Sequence, residues 1–501
     1  MSTYDVGPIS ISGLVSTDDV LTLTIDVVAI DVTERTEPLA PVELAIATNV
    51  VFDAAGSNRF SNAIMPIMSN RCASCHNTGG PGSSTWELAT AADIADIASD
   101  VNLITHSGYM PPWPASDESV DFQDDWSLSE DELAEIAAWV AEGATIDVEP
   151  DTAIVATPGV FRQVERDLVV NSIEPYQGST DRKDDYRCLI FDPQITETVW
   201  ARGYGFEPDQ IDIAHHAIIT KASAEARPDA DRRDAEEDGA GWTCYTGGSS
   251  LDGPTERAAG WAPGGQGSYF GEDAGQILEP GDFFVVQMHY HYDHHAPVDN
   301  STFIVDLHSA EAVEAAGGTM ISLDGQLYLG PAEIPCPADA PTVDSPQCQR
   351  SVELDRIGRD YGSVSRFIAD FLLGQCGQNA AQFADQTDGT AYSSCDLPVQ
   401  NPGQIVSVTG HMHEIGAAIR LTLNPDTDGE IILLDIPRWS FDWQLGYEPV
   451  DKINITTDDT IRIECYWDRG LRFDPDPKYI TWSEGTGDEM CFSSITTRPA
   501  E

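Results

Sequence analysis

Phe283-Phe284-Val285-Val286-Gln287-Met288-His289-Tyr290-His291 is the stretch that decides the fold. A short apolar run with valines at its centre, bounded by Gly, Pro and Asp, reads as a β-strand. Ile431-Ile432-Leu433-Leu434-Asp435 reads the same way, and beyond Pro158 the chain is dominated by such runs, separated by Gly, Pro, Asp and Asn. A spread of short strands of this kind favours β-sandwiches. Residues 352–374 look helical or irregular and lie between the stretches that carry Cys336 and Cys348 and those that carry Cys376 and Cys395.

Ahead of this region the pattern changes twice. Residues 9–47 alternate apolar and polar positions, as in Leu21-Thr22-Leu23-Thr24-Ile25-Asp26-Val27, and read as strands with one buried face. Residues 50–144 read as helical. Ser129 and Glu132 stand at capping-box spacing ahead of Leu133, Ile136, Ala137 and Val140, which predicts a closing helix. Val148-Glu149-Pro150-Asp151-Thr152 reads as a linker. No internal repeat or low-complexity tract is present.

The chain has 501 residues, room for several domains with cores of their own. With 26 Lys and Arg against 84 Asp and Glu, the net charge is −58, spread over the whole length. Such a field repels nucleic acid and anionic lipid, and it suits a salt-adapted surface. No apolar run of roughly 18 residues predicts a membrane span, and no leader peptide is legible at the N-terminus. Ten cysteines, two of them in a Cys-x-x-Cys-His motif and eight left for disulfides, point to a periplasmic or extracellular protein.

The motif is Cys72-Ala73-Ser74-Cys75-His76. Its two thiols have the spacing for thioether bonds to a haem, with His76 as proximal iron ligand. No second Cys-x-x-Cys completes a zinc site. Met110, in Tyr109-Met110-Pro111-Pro112-Trp113, is the expected sixth ligand, and His106 is its rival. The motif, the methionine loop and the helix after it resemble class I cytochromes c, which implies a covalently bound haem c and an electron carrier over about 95 residues.

Histidines cluster further on, as His215-His216, His289-Tyr290-His291, His294-His295 and His411-Met412-His413. Strand geometry lets His411 and His413 grip one ion from one face, and His289 and His291 likewise. The adjacent His215 and His216 can share an ion only at a strand end, twist or bulge. Imidazole suits copper, zinc, iron and nickel alike, so clustering implies a metal without naming it.

The ordered set of His215-His216, Gln287-Met288-His289-Tyr290, His411-x-His413 and Asp488-Glu489-Met490-Cys491 resembles the copper type II monooxygenases typified by peptidylglycine α-hydroxylating monooxygenase and dopamine β-monooxygenase. Carried over by position, the resemblance implies an electron-transfer copper on His215, His216 and His289, with His291 competing for the last place. It implies an oxygen-binding copper on His411, His413 and Met490, where a soft thioether favours Cu(I). It also implies disulfides Cys188–Cys244 and Cys465–Cys491. Cys336–Cys348 and Cys376–Cys395 are the simplest pairing of the remaining four, which allow three connectivities. Thr409, Phe492 and Ser494 stand where the peptide-amidating members hold their substrate, so a peptide with a free carboxylate is not the expected substrate. Asp426-Thr427-Asp428-Gly429 reads as a hairpin turn rather than a calcium loop. Trp439, Phe441 and Trp443 alternate as in a strand and are expected in the core or on a cleft wall.

The expected fold class is thus multidomain. A β-type segment (1–49) precedes a small all-α cytochrome c domain (50–147). Two all-β, jelly-roll-like sandwich domains follow, for the electron-transfer copper (158–325) and the oxygen-binding copper (326–501). The expected function is hydroxylation of a C–H bond of a small organic substrate with dioxygen. The electrons come from an external donor, a small reductant or a redox protein, through the tethered haem. The alternatives are a non-enzymatic copper and haem electron-transfer protein, and a copper oxidase or peroxygenase. Nucleic acid and membrane insertion are not expected.

Overall fold

The strand Phe283–His291 is the middle of a five-stranded antiparallel sheet, in the order Trp242–Thr243, Asp184–Phe191, Phe283–His291, Ala214–Ala222, Thr255–Trp261. Phe284, Val286, Met288 and Tyr290 face a second sheet built on Val199–Glu207 and Thr302–Leu307, where Tyr204, Phe303 and Val305 meet them. Phe283 and Val285 point the other way, into a smaller core with Ile190, Ala226, Ala230 and Trp242. Burial on both faces explains why the stretch is apolar at almost every position. His289 and His291 share the outward parity of Phe283 and Val285, at the end of the strand.

The computed structural model describes residues 58–499 apart from 79, 81, 84, 158–163, 246–250, 263–264, 266, 293 and 342. Of the first 50 residues it describes the backbone of four short strands, Ser10–Ile11, Val15–Thr17, Val20–Asp26 and Glu43–Ile46, paired around Val20–Asp26. The rest of the expected 1–49 segment lies outside the described residues.

A second β unit repeats the two-sheet plan. One sheet runs Asp324–Gly330, Cys491–Arg498, Gly403–His411, Gly446–Tyr447, and the other Thr390–Pro398, Thr460–Asp468, Gly416–Leu423, Ile431–Ile436. Ile405, Val408, Ile419, Leu421, Leu434, Ile461, Ile463 and Ile495 fill the space between them. The last two strands of the second sheet form a hairpin closed by residues 424–430, so the Asp426-Thr427-Asp428-Gly429 stretch is its turn. Four disulfides join Cys188–Cys244, Cys336–Cys348, Cys376–Cys395 and Cys465–Cys491. Among the described residues no helix is long and apolar enough to cross a membrane.

The expected fold class is overturned. Among the described residues the chain is mostly β, its helices are short, and no small all-α cytochrome c domain stands apart over 50–147. Helices Met65–Arg71, Ala73–His76, Ala91–Asp96, Ala98–His106 and Glu130–Ala141 do pack around Phe60, Met68, Val101, Ile136 and Trp139, the last helix starting at the Ser129 and Glu132 capping box. Residues 107–127, however, contain no helix and lie on the second β unit. Ser116 N–H donates to the Asp435 carbonyl (2.8 Å), Val120 N–H to Ile432 (3.0 Å) and Gln123 N–H to Glu448 (2.8 Å). Phe122 and Trp126 belong to that unit's core, with Trp113 packed against it. The apolar residues of this stretch thus find their partners in a β core far along the chain. The stretch read as a linker is also tied down, because Ala92 N–H donates to the Pro150 carbonyl (3.0 Å) and Ala91 N–H to Thr152 (2.9 Å).

Candidate metal centre

Strand register builds the first histidine group. His289 lies opposite His216, and the next pair is Tyr290 with Ala214, so His215 is an extra residue on its strand. This β-bulge is what lets two adjacent histidines turn to the same side. The ligand nitrogens of His215, His216 and His289 lie within 4.8 Å of one another. The Nδ1 atoms of His215 and His216 are 3.0 Å apart, and those of His216 and His289 3.4 Å.

His289 is 1% exposed. Its Nε2–H donates to Asp184 Oδ1 (3.0 Å), so the partner fixes the tautomer and leaves Nδ1 as a lone pair toward the other two rings. Asp184 also accepts from His291 Nδ1–H (2.9 Å) and from Thr486 Oγ1–H (2.5 Å). Burial opposes its ionisation, yet the bonds from His289 and His291 hold its carboxyl well below the usual carboxylate range. His291 is therefore a partner of Asp184, at the rim of the His215, His216 and His289 group. Tyr186, opposite His289 in the ladder, stacks on its ring at 4.2 Å and 10°.

The second group stands on the other β unit. His411 ends the strand Gly403–His411, and its ring lies 5.2 Å from that of His413. His411 Nδ1–H donates to Gln444 Oε1 (2.6 Å) and His413 Nδ1–H to the Asp488 carbonyl (3.2 Å), which leaves both Nε2 atoms available. Burial pushes His411 down to about 4 and His413 down to about 3. It also pushes His215 and His216 well below the ordinary histidine value. The rings are thus neutral at pH 7, the form that binds metal. Met490 is half-buried against the second unit's core. The ladder ends where His411 pairs with Phe492, and Met490 joins His413 through Glu489, whose carboxylate accepts from both of their N–H groups.

Glu489 fixes this corner. Its carboxylate accepts from His413 N–H (2.9 Å), Ile415 N–H (2.9 Å), Met490 N–H (3.2 Å) and Trp467 Nε1–H (3.0 Å). Burial raises its pKa to about 7 although these donors pull the other way.

The two groups face each other. The rings of His216 and His411 are 5.9 Å apart, and Phe441 lies between the groups, stacked on His215 at 4.1 Å and 6.3 Å from His413. Residues 441–444 form a turn rather than a strand, so Phe441 reaches the histidine groups while Trp439 goes into the core. Phe492 stands edge-on to His411 at 5.8 Å, and Thr409 and Ser494 hydrogen-bond each other at 2.8 Å. His294 and His295 are exposed, and His308 donates to the Ala274 carbonyl (2.8 Å). Asp184, Tyr186, Thr486 and Gln444 escaped the sequence reading, and Glu489 stood in a quoted stretch without a role of its own. Only Glu489 had a local hint, as a charge beside an apolar strand and a cysteine.

The Cys72 and Cys75 thiols take no part in the four disulfides and sit one turn apart around the start of helix Ala73–His76. Burial pushes the Cys72 thiol up to about 12. His76 Nδ1–H donates to the Trp86 carbonyl (2.8 Å), leaving Nε2 to bind, and a Cβ at Gly82 would meet the imidazole at 2.8 Å. This donor set fits a covalent haem, and the two histidine groups fit metal ions. Met110 is half-buried four residues beyond helix Ala98–His106, whereas His106 is exposed and donates to its own helix at Asn102 (2.9 Å).

No family model and no curated protein matches the chain. Among solved structures, an allantoicase is 11% identical, covering 62% of this chain and 81% of its own, with a TM-score of 0.14. Allantoicase from Saccharomyces cerevisiae is 8% identical, with coverages of 65% and 83% and a TM-score of 0.16. Oxalate decarboxylase from Bacillus subtilis is 7% identical, with 69% and 81% covered and a TM-score of 0.12. At these TM-scores the likenesses carry no argument, and the site stands on its own geometry.

Proposed function

We propose that this chain is an exported, copper-dependent monooxygenase that hydroxylates a C–H bond of a small organic substrate with dioxygen, receiving electrons through a covalently bound haem. The observation that carries the reading is the meeting of five histidines from two β units. His215, His216 and His289 would hold one copper, and His411, His413 and Met490 the other. Haem would sit on Cys72 and Cys75 with His76 and Met110 as iron ligands. Copper supplies one-electron redox chemistry and activation of dioxygen, and the Met490 thioether suits its reduced state.

The residues around the metals have separable tasks. Asp184 orients His289 and presents Nδ1, while Gln444 and the Asp488 carbonyl orient His411 and His413 through their other nitrogens. Glu489 gathers the backbone of residues 413–415 and 490, fixing the spacing of the second set. Phe441 and Phe492 give the site an apolar wall that excludes water and suits an uncharged substrate. An oxidising compartment is compatible with the four disulfides.

The 5.9 Å approach of His216 to His411 favours a second reading, a copper and haem electron-transfer protein whose two histidine groups meet with no substrate between them. Oxygen uptake by the copper-loaded, reduced chain separates the two. Uptake in step with a hydroxylated product supports the monooxygenase. Redox cycling without product over a broad panel of small molecules supports the carrier, and retention of zinc alone after maturation with both metals sinks both.

A further inference from the structure

Phe441-Asp442-Trp443-Gln444 touches three parts of the molecule at once. Phe441 stacks on His215 (4.1 Å, 26°) and Gln444 accepts the Nδ1–H of His411 (2.6 Å), so the stretch reaches both histidine groups. Between them, Asp442 accepts from the Tyr109 hydroxyl (3.1 Å) and Trp443 meets the Tyr109 ring edge-on (5.5 Å, 61°). Tyr109 is the neighbour of Met110. The turn is braced internally, since the Gln444 amide donates to the Phe441 carbonyl (2.9 Å) and Trp443 N–H to Ser440 (3.3 Å). Residues 107–127, the strap that carries Tyr109, are seated separately further along, where Arg420 pairs with Glu118 and Ser116 bonds Asp435.

Resting on the haem and copper reading above, we infer that residues 441–444 are the bridge by which an electron leaves the haem side of the chain and reaches the histidine-held copper. The path is short in contacts. One ring contact leads from Tyr109 to Trp443, then one peptide and one hydrogen bond lead to His411, or two residues back along the chain a face-on stack leads to His215. Packed rings and hydrogen bonds of this kind are a contiguous physical link between two sites. Each crossing moves one electron. Ferrous haem becomes ferric, one cupric ion becomes cuprous, no bond forms or breaks, and no proton has to move. An external one-electron donor, a small reductant or a redox protein, re-reduces the ferric haem. A chain of this charge repels a separate acidic carrier, which makes a built-in contact the effective route. Trp443, Tyr109 and Asp442 are positioning residues, because none reaches a metal ligand by its own side chain.

The test uses the full chain, haem-loaded and with both coppers oxidised, without oxygen or substrate. A flash-excited sensitiser reduces the haem, and the Soret band and the cupric EPR signal are followed together. In the unaltered chain the ferrous band decays in a first-order phase independent of protein concentration, with matching loss of the cupric signal. Trp443→Leu is expected to lose that phase while the haem spectrum and potential and the starting cupric spectrum stay unchanged. Tyr109→Phe, which keeps the ring and loses only the bond to Asp442, and Glu118→Gln, which removes a strap ion pair away from the bridge, should retain it. An unchanged phase in Trp443→Leu overturns the bridge while leaving the two-cofactor reading intact. Loss of the phase in Glu118→Gln overturns it too, since docking alone would then set the rate. A matured chain that takes up no haem or no copper overturns the underlying reading and the bridge with it.

Discussion

Asp184→Asn tests the first histidine group most directly. The Asp184 carboxylate receives three donors on Oδ1, from His289 (3.0 Å), His291 (2.9 Å) and Thr486 (2.5 Å), and the Thr486 N–H on Oδ2 (3.3 Å). The amide has no charge, keeps one oxygen for all of them, and turns an NH₂ toward groups that donate. A hydrogen bond to a charged group contributes about 1.5–3 kcal/mol. Loss of the carboxylate behind a metal-bound histidine costs about 10–100-fold in metal affinity, or roughly 1.4–2.8 kcal/mol. The two routes agree, so copper affinity at His215, His216 and His289 should fall by about 10–100-fold while the His411 and His413 site keeps its own. Anaerobic titration of Cu(I) against a chromophoric chelator, with each site read in a variant lacking the other, measures this. Unchanged affinity at the first site, or an equal fall at both, refutes the role given to Asp184. His291→Phe should cost less than His289→Phe, because His291 supports the carboxylate without belonging to the triad.

Four further outcomes are expected. His413→Ala and Met490→Ala should each lower the copper content from two ions to one, with the remaining ion still cycling; elemental analysis that finds two in both variants argues against that ligand set. In the metal-free chain, His411 is held down to about 4 against 6.5 when unfolded, so its contribution is complete above pH 6.5 and is lost as pH falls through 4. That loss amounts to about 3 kcal/mol and is read as the extra acid destabilisation of the unaltered chain over His411→Leu in denaturant melts; parallel curves count against it. Trp113→Ala should destabilise the second β unit by about 3–5 kcal/mol, because Trp113 is wedged among Phe122, Trp126 and Tyr447; hydrogen exchange in strand Gly403–His411 that stays unchanged would contradict it. Replacing Cys72 and Cys75 together by Ala should leave no haem attached after denaturation, whereas the copper sites should load as before.

Much of the site was legible because its residues announce themselves. A Cys-x-x-Cys-His and three tight histidine groups are rare by chance, and the strand at 283–291 is apolar on both faces because both are buried. What orients those histidines was not legible. Asp184 and Thr486 meet across 302 residues, and His411 and Gln444 across 33, with no local pattern to mark either pair. The bulge at His215 depends on register against a strand some 70 residues away, which the Ala214-His215-His216 sequence does not encode by itself. The error over the helical stretch has the same origin. Trp113, Phe122 and Trp126 look like the interior of their own neighbourhood, but Tyr447 and the strands around it complete their burial. Periodicity detects a buried face and says nothing of which core it enters.

The strap at residues 107–127 also sets an order of events in time. Its seat includes residues 432, 435 and 448, so the strap has nothing to close on until almost the whole chain has been made. At ordinary synthesis rates of about 5–20 residues per second the interval is roughly 15–65 s. During it residues 107–127 are complete but have no seat on the second β unit. A chain cut between the helices and the sheets would lose that closure altogether, exposing Trp113, Phe122 and Trp126 on one fragment and an unfilled core edge on the other.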